Sequence, residues 1–189
     1  VQAPVAGSRA PRVRAEQRWG VSLTAEPAGW GLLGARFSGA HASGIDRDEM
    51  RRIADAGGAI AHNPLSNLRL GSGLAAVRAM LDCGVTVGIG TDAANTSDTQ
   101  NMFEATRLAC YLSRVRGPDY SEWRSAGEAF TLATAGSARV LGLGRTRAAV
   151  ARNAVGDLVL PDRGHTTSMT QRAARPTRED GAYGARDQG

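Results

Sequence analysis

Two short apolar runs, with a helical segment between them, constrain the fold of this chain most strongly. The runs are Gly58 to Ala61 and Val85 to Ile89, and each has the length of a buried strand rather than of a helix. Between them, apolar residues recur at helical spacing and a glycine follows as a stop signal: Leu74, Val77, Met80, Leu81 and Gly84. A strand, a helix and a strand in this order predict a right-handed β-α-β unit with two parallel strands.

Polar residues follow both apolar runs directly. His62, Asn63 and Asn67 come after the first run, and Asp92 and Asn95 come after the second. The carboxyl ends of parallel strands meet at one edge of a sheet, and parallel barrels carry their catalytic groups at that edge. We therefore expect these side chains to lie together in one site.

The combined motif resembles the C-terminal half of a metal-dependent amidohydrolase. Its two parts read H-N-P-L-S-N-L-R-L-G-S-G and G-V-T-V-G-I-G-T-D. It is most similar to the chlorohydrolase and aminohydrolase branch, which includes deaminases of S-adenosylhomocysteine, guanine, 8-oxoguanine and hydroxylated triazines. The resemblance runs from about Val1 to Asp162 and is densest from Gly31 to Gly142. It implies an α/β fold, namely the C-terminal part of a TIM (β/α)8 barrel with about strands 6–8 and their helices.

The resemblance and the composition together divide the chain into three parts. Residues 1–144 would form the partial barrel, with Arg36 to His41 as the sixth strand. Residues 145–162 would hold a return strand toward a small β domain, of which this chain keeps a remnant at residues 157–160. Residues 163–189 are polar and rich in Gly and Arg, which predicts a disordered tail that includes His165.

Helix boundaries are also predicted from local signals. Asp46 with Glu49, and Ser125 with Glu128, have the spacing of capping boxes and predict two helix starts. A further helix is predicted from about Asp98. Its apolar residues are expected to point inward: Met102, Phe103, Leu108, Ala109 and Leu112.

The resemblance implies hydrolysis of a non-peptide carbon–nitrogen bond in a purine-like or triazine-like ring. A divalent metal, zinc or iron, would activate the attacking water. Asp92 would be a metal ligand and the catalytic proton acceptor, and His41 would be the catalytic histidine that orients substrate and water. The small heterocyclic substrate would be bound by His62, Asn63, Asn67 and Asn95. The alternative for Asp92 is a turn cap, and for Asn67 a purely structural bond to the backbone of its loop.

Two elements of the family pattern are missing from this sequence. The family places H-x-H at the end of the first strand, which would lie upstream of Val1, and H-x-x-E at the end of the fifth. Counting along the chain puts Pro4 and Gly7 at the His and Glu positions, and neither side chain can bind a metal or move a proton. A catalytic zinc site needs about three protein ligands. We therefore expect that this chain alone neither retains a metal tightly nor turns over substrate.

Length and composition set further bounds. The 189 residues are fewer than the ~250 of a complete barrel. A half barrel would leave two open edge strands, and open edges favour association into a homo-oligomer. No apolar run approaches the ~20 residues of a membrane span, and no leader pattern is visible, so a cytoplasmic protein is expected. Cys83 and Cys110 are predicted to be reduced and buried.

Two readings compete with an active hydrolase. The first is a catalytically inactive, truncated relative, which Pro4 and Gly7 favour. The second is an Arg-rich nucleic-acid-binding module, because the formal charge is +5 and every basic residue is Arg. The arginines are scattered and aromatic residues are few, so nucleic acid is not the expected partner. A steep loss of DNA affinity with salt would identify such a module.

Overall fold

A four-stranded parallel sheet with helices forms the body of the protein. The computed structural model describes residues 1–7, 9–20, 24–144, 150–156 and 158–159. The strands pair in chain order: Gln2–Val5 (β1), Ser38–His41 (β2), Ala59–His62 (β3) and Thr86–Ile89 (β4). The predicted α/β class is confirmed. Three strands lie where the sequence predicts them, and β1 lies at the position counted as the fifth strand.

The helices follow the strands along the chain. They are Arg9–Trp19 (α1), Ala25–Gly29 (α2), Arg47–Asp55 (α3), Pro64–Arg69 (α4), Val77–Asp82 (α5), Ala94–Ser97 (α6), Met102–Val115 (α7), Ala126–Thr131 (α8) and Ser137–Val140 (α9). A 3₁₀ turn spans Tyr120–Glu122, and a π-helical segment spans Leu132–Gly136 between α8 and α9.

One face of the sheet packs against the helices and forms the core. Ile60 on β3 is fully buried in one apolar cluster with Ile53 of α3 and Met80 of α5. Successive side chains on a strand point to opposite faces, so Ala61 and Thr86 lie on the other, partly exposed face. Gly39 weakens β2 in sequence terms, but a Cβ there would lie 2.9 Å from the Ile60 Cδ1 atom, so the core packing requires a glycine.

Both predicted capping boxes are confirmed. At α3, Asp46 Oδ1 accepts a hydrogen bond from the Glu49 backbone N–H at 2.9 Å, and Glu49 Oε2 accepts from the Asp46 N–H at 3.0 Å. Ser125 and Glu128 make the same reciprocal pair at α8. Each box satisfies backbone donors that a helix start would otherwise leave unpaired.

Two helix predictions were wrong in detail. Helix α7 begins at Met102 after the Asn101 cap, and its buried residues are mostly small: Ala105, Thr106, Ala109, Cys110 and Ser113. Met102 and Phe103 are exposed, because this narrow face of small side chains is the one that packs inward. The segment after His62, predicted as a loop, is helix α4, which begins at Pro64, where a proline costs no hydrogen bond. Of the two free cysteines, Cys110 is buried as predicted and Cys83 is half-buried.

The outer edge of β4 is covered by the chain itself. The Gly90 N–H donates to the His62 carbonyl, so the alternate residues Val87 and Ile89 direct their backbone groups away from β3. Ser137 Oγ accepts from the Ile89 N–H at 3.1 Å and donates to the Ile89 carbonyl at 2.8 Å. A Cβ on Gly136 would collide with the Val87 carbonyl oxygen. The prediction of an open edge is therefore wrong for β4.

The outer edge of β1 is protected against pairing with another strand in a different way. The carbonyls of Val1 and Val5 accept hydrogen bonds from backbone N–H groups of the β2 segment. The backbone groups of the alternate residues, Gln2 and Pro4, therefore point away from β2. Proline has no backbone N–H, and prolines in sheets are confined to such edges. Pro4 stands where the family pattern has a metal-binding His. It also lacks the backbone N–H through which a further strand would pair with β1.

Several predictions fall partly or wholly outside the described residues. Leu158 and Val159 of the predicted return strand are described and belong to no strand, whereas Asp157 and Leu160 lie outside. The predicted tail at 163–189, with His165, also lies outside, so its order stays a prediction. Within the described ranges, no helix is long and apolar enough to cross a membrane.

Candidate functional site

Asp92 and His41 meet at the carboxyl edge of the sheet. His41 ends β2 and Asp92 follows β4, and His41 Nε2 lies 3.6 Å from Asp92 Oδ2. Both residues have a positive φ, 69° for His41 and 62° for Asp92. Non-glycine residues adopt this backbone conformation rarely and at an energetic cost, and such residues cluster at functional sites. The two turns bring the side chains of separate strands to one place.

The Asp92 carboxylate is held by two strong hydrogen bonds. Ser66 Oγ donates to Oδ2 at 2.6 Å, and the Ala93 backbone N–H donates to Oδ1 at 2.8 Å. Burial alone raises the pKa of Asp92, but the hydrogen bonds from Ser66 and Ala93 and the proximity of His41 outweigh it. The net pKa of Asp92 is lowered, so the side chain is an ionised carboxylate at neutral pH.

Asn67 fixes the orientation of the His41 ring. His41 Nδ1 lies 2.9 Å from Asn67 Oδ1, and Asn67 is only 1% exposed on α4. An amide oxygen only accepts hydrogen bonds, so Nδ1 carries the proton and Nε2 is left facing Asp92. The Asn67 Nδ2 atom is buried and has no partner among the described residues, which leaves a donor beside the pair.

The two remaining asparagines take different positions. Asn63 is buried at the end of β3, with its Oδ1 atom against Gly90, where any Cβ would collide with it. Asn95 is exposed on α6, and its backbone carbonyl accepts from Arg69 Nη1 at 3.1 Å. Arg69 also bonds Asp98 at 2.5 Å and so ties this helix to α4. Asn63 is thus buried against the end of β4, whereas the Asn95 side chain is exposed.

His62 does not join the group in which the sequence prediction placed it. It shares the helix-facing side of β3 with Ile60, because side chains two residues apart point the same way. It is 4% exposed and lines a cavity with Val77, Ala109 and Arg124. Burial, with smaller contributions from Arg124 and His41, lowers the pKa of His62 to about 3, so the ring is neutral. Strand alternation thus places His62 on the helix side of the sheet, so its role in substrate binding stays a prediction.

Ser66 was not assigned a role from the sequence, although it is the nearest donor to the Asp92 carboxylate. It is fully buried on α4. Consecutive helical residues point about 100° apart, so Ser66 reaches Asp92 while Asn67 reaches His41. Pro64 is the sequence signal that could have identified Ser66, because a proline at a helix start predicts the short helix that carries Ser66.

The described side chains do not fit a zinc site with three ligands. Among them, no group of three His, Cys, Asp or Glu residues is placed to hold a metal ion. Gly7 lies beside the site, since a Cβ there would be 3.4 Å from the His41 Cδ2 atom. The position counted as the family's fifth-strand Glu therefore faces His41, but it carries no carboxylate. Asp92 and His41 remain as the two potential ligands.

The sequence matches the Amidohydrolase family over residues 23–178. This match begins after Pro4 and Gly7 and extends past Asp162, where the predicted resemblance ended. A 5-methylthioadenosine/S-adenosylhomocysteine deaminase of Haloquadratum walsbyi is 39% identical over 123 residues, 65% of this chain and 27% of that protein. One of Desulforudis audaxviator is 42% identical over 113 residues, 60% of this chain and 26% of that protein. The chain spans less than a third of the length of these relatives.

Solved structures of similar proteins give the same result. An adenosine deaminase from Xanthomonas campestris with bound zinc has a TM-score of 0.74 and 26% identity, over 78% of this chain and 34% of that one. An atrazine chlorohydrolase from Arthrobacter aurescens complexed with zinc has a TM-score of 0.73 and 33% identity, over 78% and 32%. The guanine deaminase of E. coli has a TM-score of 0.69 and 30% identity, over 76% and 32%.

These matches cover most of this chain and a minor part of each relative. The predicted resemblance is confirmed, and the parallel sheet has structural neighbours of the TIM-barrel type. The chain belongs to the amidohydrolase family.

Proposed function

We propose that this chain carries the proton-handling and substrate-orienting part of a deaminase-type hydrolytic site. The reaction would cleave a non-peptide carbon–nitrogen bond in a purine-like or triazine-like ring. The observation that carries the proposal is the Asp92 carboxylate, bonded by Ser66 and 3.6 Å from His41 Nε2. Relatives named as deaminases of adenosine-type compounds and of guanine support the substrate class.

Each residue of the site has a defined task in this proposal. Asp92, with its lowered pKa, is ionised and accepts the proton of the attacking water. His41, held by Asn67, orients the water or a ring nitrogen with Nε2. Asn63 and the Nδ2 group of Asn67 supply polar contacts to the heterocycle at the edge of β3, and Asn95 closes the rim.

The metal that the family implies is the weak point of this site. The described residues offer Asp92 and His41, whereas a catalytic zinc site takes about three protein ligands. We therefore propose that this chain alone retains no zinc or iron and does not turn over substrate. Gly7 favours the same conclusion, because it lies beside His41 and has no side chain that could bind a metal, and Pro4 offers none at the position counted as the family's His. A catalytically inactive relative is the second candidate for the same reason.

Metal content and ammonia release test the proposal together. The purified chain is loaded with zinc, dialysed and analysed for metal per chain, and then assayed with adenosine-type nucleosides, guanine and an aminated triazine. We expect well under one zinc per chain and no ammonia above background. One zinc per chain with ammonia release that Asp92→Asn abolishes would contradict the incomplete site and establish an active deaminase. Retained activity in Asp92→Asn would instead contradict the role of Asp92.

A further inference from the structure

A cavity lies between β3 and helices α5 and α7, on the helix side of the sheet. Its volume is about 20 Å³. A buried site needs roughly 10–15 Å³ to hold one water molecule, so there is room for one small occupant. The side chains that line its interior are His62, Val77, Arg78, Ala109, Ser113 and Arg124.

The Arg124 guanidinium is buried in this cavity without a direct ion pair among the described residues, although Glu128 and Asp82 act on its charge from beyond ion-pair distance. The residue is 3% exposed, and its Nη1 group has no hydrogen-bond partner among the described residues. No described carboxylate lies within ion-pair distance of it, and its backbone rather than its side chain bonds Ser113. A buried charge without a partner destabilises a fold by several kcal/mol. An occupant that compensates this charge is therefore expected.

Two further donors in the same cavity are also unsatisfied. Arg78 bonds Glu128 at 2.7 Å through Nη2, but its Nε group is buried without a partner. His62 Nδ1 is buried without a partner as well. A neutral imidazole can place its proton on Nδ1 and donate from there. Arg124 Nη1, Arg78 Nε and, with the proton on Nδ1, His62 thus present three donors that have no partner among the described residues.

The charges around the cavity favour an anion over a water molecule. Arg78, Arg116 and Arg124 line it, against Glu122 at the exposed mouth and Glu128, which already pairs with Arg78. Water would satisfy donors but would place no negative charge in contact with the unpartnered Arg124 Nη1 group. We propose that this cavity binds one monovalent anion of about the size of chloride, held by Arg124 together with Arg78 and His62. The volume suits one small anion better than an organic anion of the size of gluconate.

Thermal unfolding in matched salts tests the anion site. The chain is heated in sodium chloride and in sodium gluconate at equal ionic strength, since gluconate is too large to enter. With chloride at a hundred times its dissociation constant, Tm should rise by about 5–10 °C above the gluconate value. Arg124→Met should abolish this difference, because methionine keeps the length of the side chain without its charge. Arg139→Met, an exposed arginine on α9, should leave it unchanged.

Bromide diffraction provides a test that needs no variant. Crystals soaked in sodium bromide should show an anomalous peak within hydrogen-bond distance of Arg124 Nη1. Equal Tm values in the two salts, a chloride effect that survives Arg124→Met, or a cavity that holds only water would each overturn the proposal.

Discussion

His41 and His62 end neighbouring strands, yet they occupy opposite kinds of surroundings. His41 bonds Asn67 and faces the Asp92 carboxylate at the carboxyl edge of the sheet. His62 is buried on the helix side with an unpaired Nδ1 atom. The difference comes from the backbone, because φ is positive at His41 whereas His62 continues the regular alternation of β3. The position of a histidine at a strand end therefore does not decide its chemistry; the turn that follows does.

Acid unfolding should separate the two histidines with the largest effect. The pKa of His62 is lowered to about 3 in the folded chain, whereas the unfolded chain takes up the proton near 6.5. The unfolded state thus binds more protons below pH 6.5, so stability falls as the pH drops from 6.5 toward 3. At pH 4 the loss from His62 should be about 3 kcal/mol relative to pH 7. Urea unfolding in halide-free buffer at both pH values measures it.

The matched variant for this experiment is His62→Gln. The carboxylates with lowered pKa values, such as Asp92, are common to both proteins, so their contribution to acid unfolding cancels. The variant should lose about 3 kcal/mol less than the wild type between pH 7 and 4. Equal losses in both proteins would show that His62 is not held neutral in the fold.

The affinity for zinc should depend on residues around His41 and not on His62. Pro4→His with Gly7→Glu restores the His and Glu that the family pattern has at these two positions, and together with Asp92 and His41 they give a ligand set of the size that zinc takes. The zinc dissociation constant should fall by about a hundredfold or more, measured by calorimetric titration. The control is Pro4→Ala with Gly7→Ala, which changes the same backbone positions without ligands. Adding Asp92→Asn should remove the gain, and adding His62→Gln should leave it intact.

The hydrogen bond from Ser66 to Asp92 should have a smaller effect on stability, confined to the surroundings of His41. Ser66→Ala should lower the free energy of unfolding by about 1–2 kcal/mol at pH 7, because a buried donor to a carboxylate is lost. The folded-state pKa of Asp92 lies below its usual value, so its stabilisation is present at neutral pH and disappears as pH falls through that lowered pKa. The deficit of Ser66→Ala should therefore shrink in acid.

Ser43→Ala is the matched control for this variant. The Ser43 hydroxyl is buried without a partner among the described residues, so its removal should cost nothing measurable. A deficit of equal size in both variants, or one in Ser66→Ala that does not shrink with acid, would contradict the stabilisation of Asp92 by Ser66.

The smallest effect is expected at the start of α3, away from both histidines. Asp46→Ala removes the cap and should cost about 1 kcal/mol in the free energy of unfolding at pH 7. The zinc affinity of the ligand-restored variant should not change with it. If it does, the carboxyl edge is coupled to α3, and the two regions are not independent.

The sequence predicted the parts of the fold that depend on local signals. Apolar runs located β3 and β4 to within about two residues, the family resemblance located β2 equally well, and reciprocal Asp or Ser and Glu spacing located α3 and α8. The inward face of α7 was mispredicted because burial there selects small side chains, and Phe103, the larger residue, is exposed. Hydropathy alone cannot reveal how closely two elements approach.

The sequence predicted which residues form the candidate site better than it predicted where their side chains lie. The motif pointed to Asp92, His41 and Asn67, and the structure brings these three together. His62 was grouped with them because it precedes Asn63 in the same motif, but alternation along β3 turns it to the other face. Arg124 carried no sequence signal, because nothing in an isolated arginine shows that its Nη1 group will be buried without a partner among the described residues.

The hydrogen bonds between Ser137 and Ile89 decide at which edge a further strand can join the sheet. The donor and acceptor through which another strand would join β4 at this point are already occupied. Any strand added there would have to displace α9, whereas beside β1 the obstacle among the described residues is the missing N–H of Pro4. Extension of this sheet, by a longer chain or by a second molecule, is therefore favoured at the amino-terminal strand and opposed at the other end.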